Sequence, residues 1–277
     1  MTDSTRQMEV RLEIEAPTDA VWKALTDAQE LERWFPLHAK ATPGKGGKIW
    51  MSWGQPWEGD AMIEIWEPGE HLRIRWPWQG APGDPGAPAV PVAVDYFLES
   101  RAGGTVLRLV HSGFGRDAQW DNEVESVRHG WRFELQSLKR YLERHRGKDR
   151  RVVWARREFI GSRNEFWPRL IGPEGLGGHG RLGHLIAGDE FAFGPKGAEA
   201  LRGRVMVHEG PRQFVGTAEN FNDGLVRIEL EGPAVDAPDA KHHLWVWLSA
   251  YGVDEARLAK LEREWRAMAE RLLPQGK

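Results

Sequence analysis

Val10, Leu12 and Ile14 alternate with Glu9, Arg11, Glu13 and Glu15, the period of two of a strand with one face in a core and the other in water. Pro17 ends it. Thr18 is placed to cap a helix in which Ala20, Val21, Ala24 and Leu25 keep helical spacing up to Asp27, and a shorter helix over Ala28–Trp34 stops before Pro36. Strand-like runs follow at Lys48–Trp53, Gly59–Glu67, His71–Trp78, Val92–Glu99 and Thr105–Ser112, separated by Gly, Pro or polar turns. Consecutive runs of this kind predict an antiparallel meander. The stretch Pro77–Pro91 is too rich in Pro and Gly for a strand and reads as a long loop or lid. Val124, Val127, Trp131, Leu135, Leu138 and Leu142 then recur every three or four residues, with Arg132, Gln136, Lys139 and Glu143 between them, so a long amphipathic helix closes the series.

After the charged run Arg146–Arg151, which reads as a linker, the order begins again. Val152–Ile160 is a strand and Ser162–Leu170 a helix; Phe191, Val205–His208, Phe214–Thr217, Val226–Leu230 and Leu244–Leu248 mark further strands. Leu258, Leu261, Trp265, Met268 and Leu272 form a second terminal helix. AVWKALTDAQEL at Ala20–Leu31 reads like EFWPRLIGPEGL at Glu165–Leu176, and GDAMIEIWEPGEHL like GRVMVHEGPRQF. The expectation is two copies of one α+β fold, residues 1–148 and 149–277, each a curved antiparallel sheet around its last helix. The space between sheet and helix becomes a cavity wherever side chains leave it open.

The first half resembles the C-terminal-type domain of heat-shock protein 90 ATPase activator homologues, a branch of the START-like (SRPBCC, Bet v 1-like) helix-grip superfamily. The residues that carry the resemblance are EIEAPTDAVWKALTDAQELERWF, GDAMIEIWEPGEHLRIRW, LVHSGFG at Leu109–Gly115 and HGWRFELQSLKRYLE at His129–Glu143, in that order over most of residues 8–145. The second half keeps the order of elements with weaker motif matches. The Trp-rich asparagine motif of the activators' other domain is not visible. The resemblance implies two tandem helix-grip domains, the second divergent, and either ligand binding or association with a chaperone.

Strand phase turns Ile49, Met51, Trp53, Ile63, Ile65, Leu72, Ile74, Trp76, Tyr96, Leu98, Leu107, Leu109 and His111 inward, opposite Trp131, Leu135 and Leu138. From these the expected ligand-binding residues are Trp53, Ile63, Ile65, Trp76, Tyr96, Leu109, His111, Phe114, Trp131 and Leu135, with Phe114 and the Pro77–Pro91 loop near the mouth. The alternative is a filled core in which the large rings span the gap. About 300 Å² of buried apolar ligand surface is worth roughly 7 kcal/mol gross at ~25 cal/mol/Å², and association costs of ~4–15 kcal/mol absorb most of it. Selectivity then falls to the few polar groups, Tyr96 and His111. Glu9, Glu13, Glu64 and Asp95 fall in the outward phase, so no strand carboxylate is expected beside His111 or His129, and an interior histidine without one reads as a structural group at least as readily as a base.

Composition narrows the classes further. The 38 Lys plus Arg and 41 Asp plus Glu are interspersed, giving a formal charge of −3, which offers no field for nucleic acid. There is no cysteine, hence no disulfide, thiolate metal site or thiol nucleophile. Without a long apolar run, membrane insertion is not expected and a cytoplasmic protein is. Gly175–Gly180 fits GxGxxG by count but follows a helix, the wrong context for a dinucleotide. His179, His184, His242 and His243 lack metal-ligand spacing, so neither cofactor nor metal is expected. Trp245 and Trp247 fall on the outer face of their strand and call for cover by the other domain or a second subunit, unless a one-residue change of phase turns them into the cavity. Three readings stay open: a module binding a small hydrophobic or aromatic ligand, a chaperone-associated interaction protein, and an enzyme of cyclase or hydratase type.

Overall fold

A computed structural model of the chain describes residues 5–55, 57–78, 90–180, 182–233 and 235–273. The chain divides into two compact units, Met1–Lys148 and Asp149–Lys277.

In the first unit, β1 (Arg6–Ile14) leads to α1 (Thr18–Thr26) and α2 (Ala28–Glu32). Then come β2 (His38–Thr42), β3 (Lys48–Ser52), β4 (Glu58–Glu67), β5 (His71–Trp78), β6 (Val90–Arg101) and β7 (Gly104–Phe114). A 3₁₀ turn at Ala118–Trp120 feeds α3 (Asp121–Arg140), which ends in a π turn at Tyr141–His145. The sheet runs β1-β7-β6-β5-β4-β3-β2, and each neighbouring pair is antiparallel. Asp121 and Glu123 open α3 and Lys139 and Arg140 close it, an order that suits the helix dipole.

The second unit holds β8 (Arg150–Ile160), α4 (Arg163–Ile171), β9 (Glu190–Phe193), β10 (Leu201–Glu209), β11 (Gln213–Ala218), β12 (Gly224–Glu231), β13 (Lys241–Tyr251) and α5 (Glu255–Leu272). Its sheet runs β8-β13-β12-β11-β10-β9. Both units are α+β helix-grip folds, with the first and last strands of each sheet hydrogen-bonded and a terminal helix against the sheet. Among the described residues no helix is long and apolar enough to cross a membrane.

The alternation that predicts β1 survives in its pairing, where Met8, Val10 and Leu12 face His111, Leu109 and Leu107. Other expectations change. The strand at His38–Thr42 has no alternation long enough to announce it; it forms because β3 offers it an edge. Thr18 lies inside α1 and Pro17 is the N-cap; the Thr18 hydroxyl is instead 3.2 Å from that of Thr105. Strand pairing reaches Pro77↔Pro91 and Trp78↔Val90, at the end of a ladder where missing amide donors interrupt little. The remainder of the expected lid, residues 79–89, lies outside the described residues. The linker is shorter than its charge run, because β8 already begins at Arg150.

One irregularity recurs in both units and decides which rings point inward. Between Ile63 and Ile65 the register of β4 on β5 shifts, as it does between Val205 and Val207 of β10 on β11. A bulge reverses the phase of every residue after it. Ile63 therefore faces Ile74 on the inner side, while Ile65 stands opposite Arg73 on the outer side and Trp66 opposite Leu72 on the inner. The inward placement of Ile65 from simple alternation is thus corrected by one inserted residue. The re-aimed Trp66 meets Trp22 of α1 edge-on at 5.1 Å. In the second unit His208 meets Trp167 of α4 at 6.2 Å. A helical tryptophan packed on the residue behind a bulge is a shared device of the two copies.

The join between β7 and α3 depends on a glycine. A Cβ at Gly115 would lie 2.2 Å from the Trp120 indole nitrogen, and Arg6 Nε donates to the Gly115 carbonyl at 2.7 Å. Gly115→Ala is expected to displace Trp120 and cost about 1–3 kcal/mol, the usual range for overpacking. Urea denaturation measures it; an unchanged midpoint would show that the ring moves aside freely.

Candidate functional site

The inner face of the first sheet is built by register. Ile63, Ile74, Val94, His111 and Met8 form one row across five strands, and Leu72, Tyr96, Leu109 and Val10 the next. These residues are apolar except for His111 and Tyr96. Against them lies α3, whose Trp131, Leu135 and Leu138 are buried.

A continuous set of rings crosses this space. Trp76 and Trp53 are 6.3 Å apart, Trp53 and Phe35 5.0 Å, and Phe35 stacks on Trp131 at 5.5 Å. Trp131 meets Tyr96 edge-on at 6.1 Å and His111 at 6.2 Å. His111 continues to Phe114 at 4.7 Å, and Phe114 to Trp120 at 6.2 Å. Trp53, Trp76, Tyr96, His111, Phe114 and Trp131 are thus brought together, with Ile63, Leu109 and Leu135 buried around them; Ile65 is not. Phe114 is fully buried, so it is part of the enclosure and not of an exposed mouth. Sequence reading missed Phe35 and Trp120, because it drew only on strands and the terminal helix. The available signal was the Trp34–Phe35 pair immediately before Pro36.

At the centre, Trp131 Nε1 donates to His111 Nδ1 at 2.9 Å. The donor fixes the tautomer: Nδ1 carries the lone pair, so Nε2 carries the proton of the neutral ring. That Nε2 is buried and has no hydrogen-bond partner among the described residues. His111 is 6% exposed, and burial lowers its pKa to about 3, so the ring is a neutral donor at physiological pH. Burial likewise pushes the Tyr96 phenol far above its ordinary value. The Trp76 indole N–H is a second buried donor without a partner among the described residues.

Carboxylates lie elsewhere, with two departures from expectation. Asp95 and Glu64 take the outer face: Asp95 accepts from Arg73 at 2.5 Å and lies 2.8 Å from His71 Nε2, and Glu64 accepts from Arg73 and Arg75. His129, expected to have no carboxylate neighbour, sits 3.5 Å from Glu125 Oε1 one turn earlier on α3, and its Nδ1 lies 2.8 Å from the Glu125 carbonyl. The Glu125 side chain remains 39% exposed. Glu30 of α2 is buried, accepting from the Tyr141 hydroxyl at 2.5 Å and from Arg33 at 2.8 Å. Strand phase could not find Glu30, because it belongs to a helix.

The second unit differs where it matters. Aligned through Phe114–Gly115 and Tyr251–Gly252, the position of His111 is Leu248, which is buried. Phe191, Phe193, Phe214 and Trp265 pack ring on ring at 5.1–6.2 Å. Trp245 and Trp247 lie on the outer face, since Val246 and Leu248 join the core. They meet Trp154 at 5.9 and 5.4 Å, and Arg156 and Arg150 lie over their rings. Their indoles donate to Glu231 and Ser249. A cleft of about 320 Å³ beside β8 and α5, lined by Trp154, Arg156, Arg157, Arg266 and Glu270 among others, lies away from the expected residues. Arg157 pairs there with Glu270 and Arg266 with Glu262.

The lowered pKa of His111 has a measurable sign. Unfolded histidine titrates near ~6.5, so between that value and about 3 the unfolded chain binds the extra proton and stability falls as pH is lowered. Between about pH 6 and 4 the wild type should lose stability more steeply than His111→Phe, by up to about 1.4 kcal/mol per pH unit. Denaturation series at several pH values measure this; equal slopes would contradict the assignment.

No curated protein matches the chain. Among solved structures, protein MLL2253 from Mesorhizobium loti is 25% identical, with 50% of this chain and 98% of that one covered and a TM-score of 0.43. CalU16 from Micromonospora echinospora is 26% identical over 50% of this chain and 76% of its own, TM-score 0.41. DynU16, described as a putative protein in the dynemicin biosynthetic locus, is 20% identical over 95% of both chains, TM-score 0.43. The profile of the family described as "Activator of Hsp90 ATPase homolog 1-like protein" matches residues 15–143, the stretch that carries α1 to α3 and every residue of the aromatic enclosure, and the first unit is similar to that family over this stretch.

Proposed function

We propose that the first unit binds a small hydrophobic or aromatic molecule between its sheet and α3. The observation that carries this reading is the row of rings from Trp76 to Trp120 around a buried, neutral histidine with an unpaired N–H. A core that only had to be filled would gain from an apolar residue at this position, as the second copy has with Leu248. Leaving a buried donor unmatched costs about 1–3 kcal/mol, a penalty that a ligand removes. Apolar enclosure supplies most of the affinity and the polar groups the selection. The absence of cysteine fits work in a reducing cytoplasm.

A second reading, interaction with a chaperone, is favoured by the description of the matching family. Stimulation of the ATPase of purified Hsp90 by the full chain tests it, and no stimulation at micromolar concentrations removes it. A cyclase or hydratase reading finds less support, because His111 is oriented by an indole and not by a carboxylate.

For the ligand reading, N-phenyl-1-naphthylamine is the neutral probe. Saturable fluorescence enhancement with one site per chain is expected, together with a rise in melting temperature corresponding to about 2.7 kcal/mol at a hundredfold excess over Kd. Leu135→Trp, which puts a larger side chain between α3 and the sheet, should abolish both. Unsaturable binding, or binding unaffected by Leu135→Trp, would refute the site.

A further inference from the structure

The identity of the unpaired groups says what chemistry a ligand must bring. His111 and Trp76 are both donors, held on the inner face of strands β7 and β5, with β6 between them. Strands are ~4.8 Å apart, so the two donors stand on backbones roughly 10 Å apart on the same face of the sheet. Among the described residues that the register turns toward α3, the one Lys or Arg is Arg6 at the start of β1, and its charge is already paired with Asp121 of α3. His111 itself stays uncharged, because its other nitrogen accepts from Trp131.

A carboxylate or phosphate in such a place would be desolvated without a counter-charge. A plain hydrocarbon would leave the donors unmatched. A neutral carbonyl oxygen satisfies both requirements. An unpaired indole alone would not be enough, since Trp265 has one in the packed core of the second unit. At His111 the lone donor coincides with a tautomer fixed by Trp131 and with surrounding rings, whereas Leu248 in the second copy offers no donor at that position.

We propose, building on the ligand reading above, that the molecule bound in the first unit is a neutral aromatic ketone or comparable carbonyl compound whose oxygen accepts from His111 Nε2, with Trp131 as the residue that positions the imidazole. Carboxylate-bearing analogues are excluded, and binding is independent of pH between about 5 and 8 because the donor does not titrate there.

The test compares 2-acetylnaphthalene, 2-ethylnaphthalene and 2-naphthoate, which share a skeleton and differ in the acceptor and its charge, by titration calorimetry of the full chain. The ketone should bind about tenfold tighter than the hydrocarbon, the usual worth of one matched buried donor, and the naphthoate weakest of the three. In His111→Phe the ketone's advantage should vanish while the hydrocarbon still binds. His111→Gln, which keeps an N–H and can still accept from Trp131, should recover part of it. Trp131→Phe should lower the advantage by releasing the tautomer, and it carries the test if His111→Phe does not fold. Equal binding of ketone and hydrocarbon by the wild type, or an advantage that survives in His111→Phe, overturns the carbonyl inference and leaves the hydrophobic site standing. Failure of all three compounds to bind overturns the site and the inference together.

Discussion

The hydrogen bond from the Trp131 indole to His111 Nδ1 is the interaction on which the first unit's chemistry depends. It joins the terminal helix to β7, the strand next to the β1 edge of the sheet. It also consumes the one acceptor of a neutral imidazole and so decides that the remaining nitrogen is a donor. Low local polarity makes this choice firm: burial opposes the imidazolium, and Trp131 N–H can pair only with an unprotonated Nδ1. The ring is therefore neutral and aligned, and still short of one partner. From those three properties follow the preference for an oxygen acceptor and the unsuitability of the ring as a general base.

The two copies show how one fold can be kept while its interior is changed. Both use a bulge in a sheet strand, β4 or β10, to turn a ring onto a helical tryptophan, Trp66 on Trp22 and His208 on Trp167. Both end in an amphipathic helix whose tryptophan faces the sheet. In the second, Leu248 stands at the position of His111, Phe191, Phe193, Phe214 and Trp265 pack on one another, and the inward polar groups are His208 and His242. In the first, the inward polar groups are His111 and Tyr96.

Much of this was legible from residue order alone. The period-two runs place the central strands within a few residues, and the three-and-four spacing of Val124 to Leu142 places α3. His111 stands out where an otherwise apolar strand turns polar. Three things were not legible, each for a physical reason. Inserting a single residue at Glu64 moves Ile65 to the outer face without altering composition or local propensity. Phe35 enters the enclosure from a helix end, and Glu30 becomes buried from a helix, neither of which strand alternation can report. The partner of His111 is set by the distance between a strand and a helix 20 residues apart in sequence, which no local pattern encodes. The outward phase of Trp245 and Trp247 was readable, but their contacts with Trp154, Arg150 and Arg156 depend on strand pairing.

The most direct examination of the central claim is nitrogen NMR of the full chain labelled with ¹⁵N-histidine, with His111→Phe used to assign the signal. The account predicts one imidazole with a pyridine-like Nδ1 and a pyrrole-like Nε2 whose shifts stay constant from about pH 8 to 5. Averaged nitrogen shifts, the opposite tautomer, or a titration near ~6.5 would contradict it.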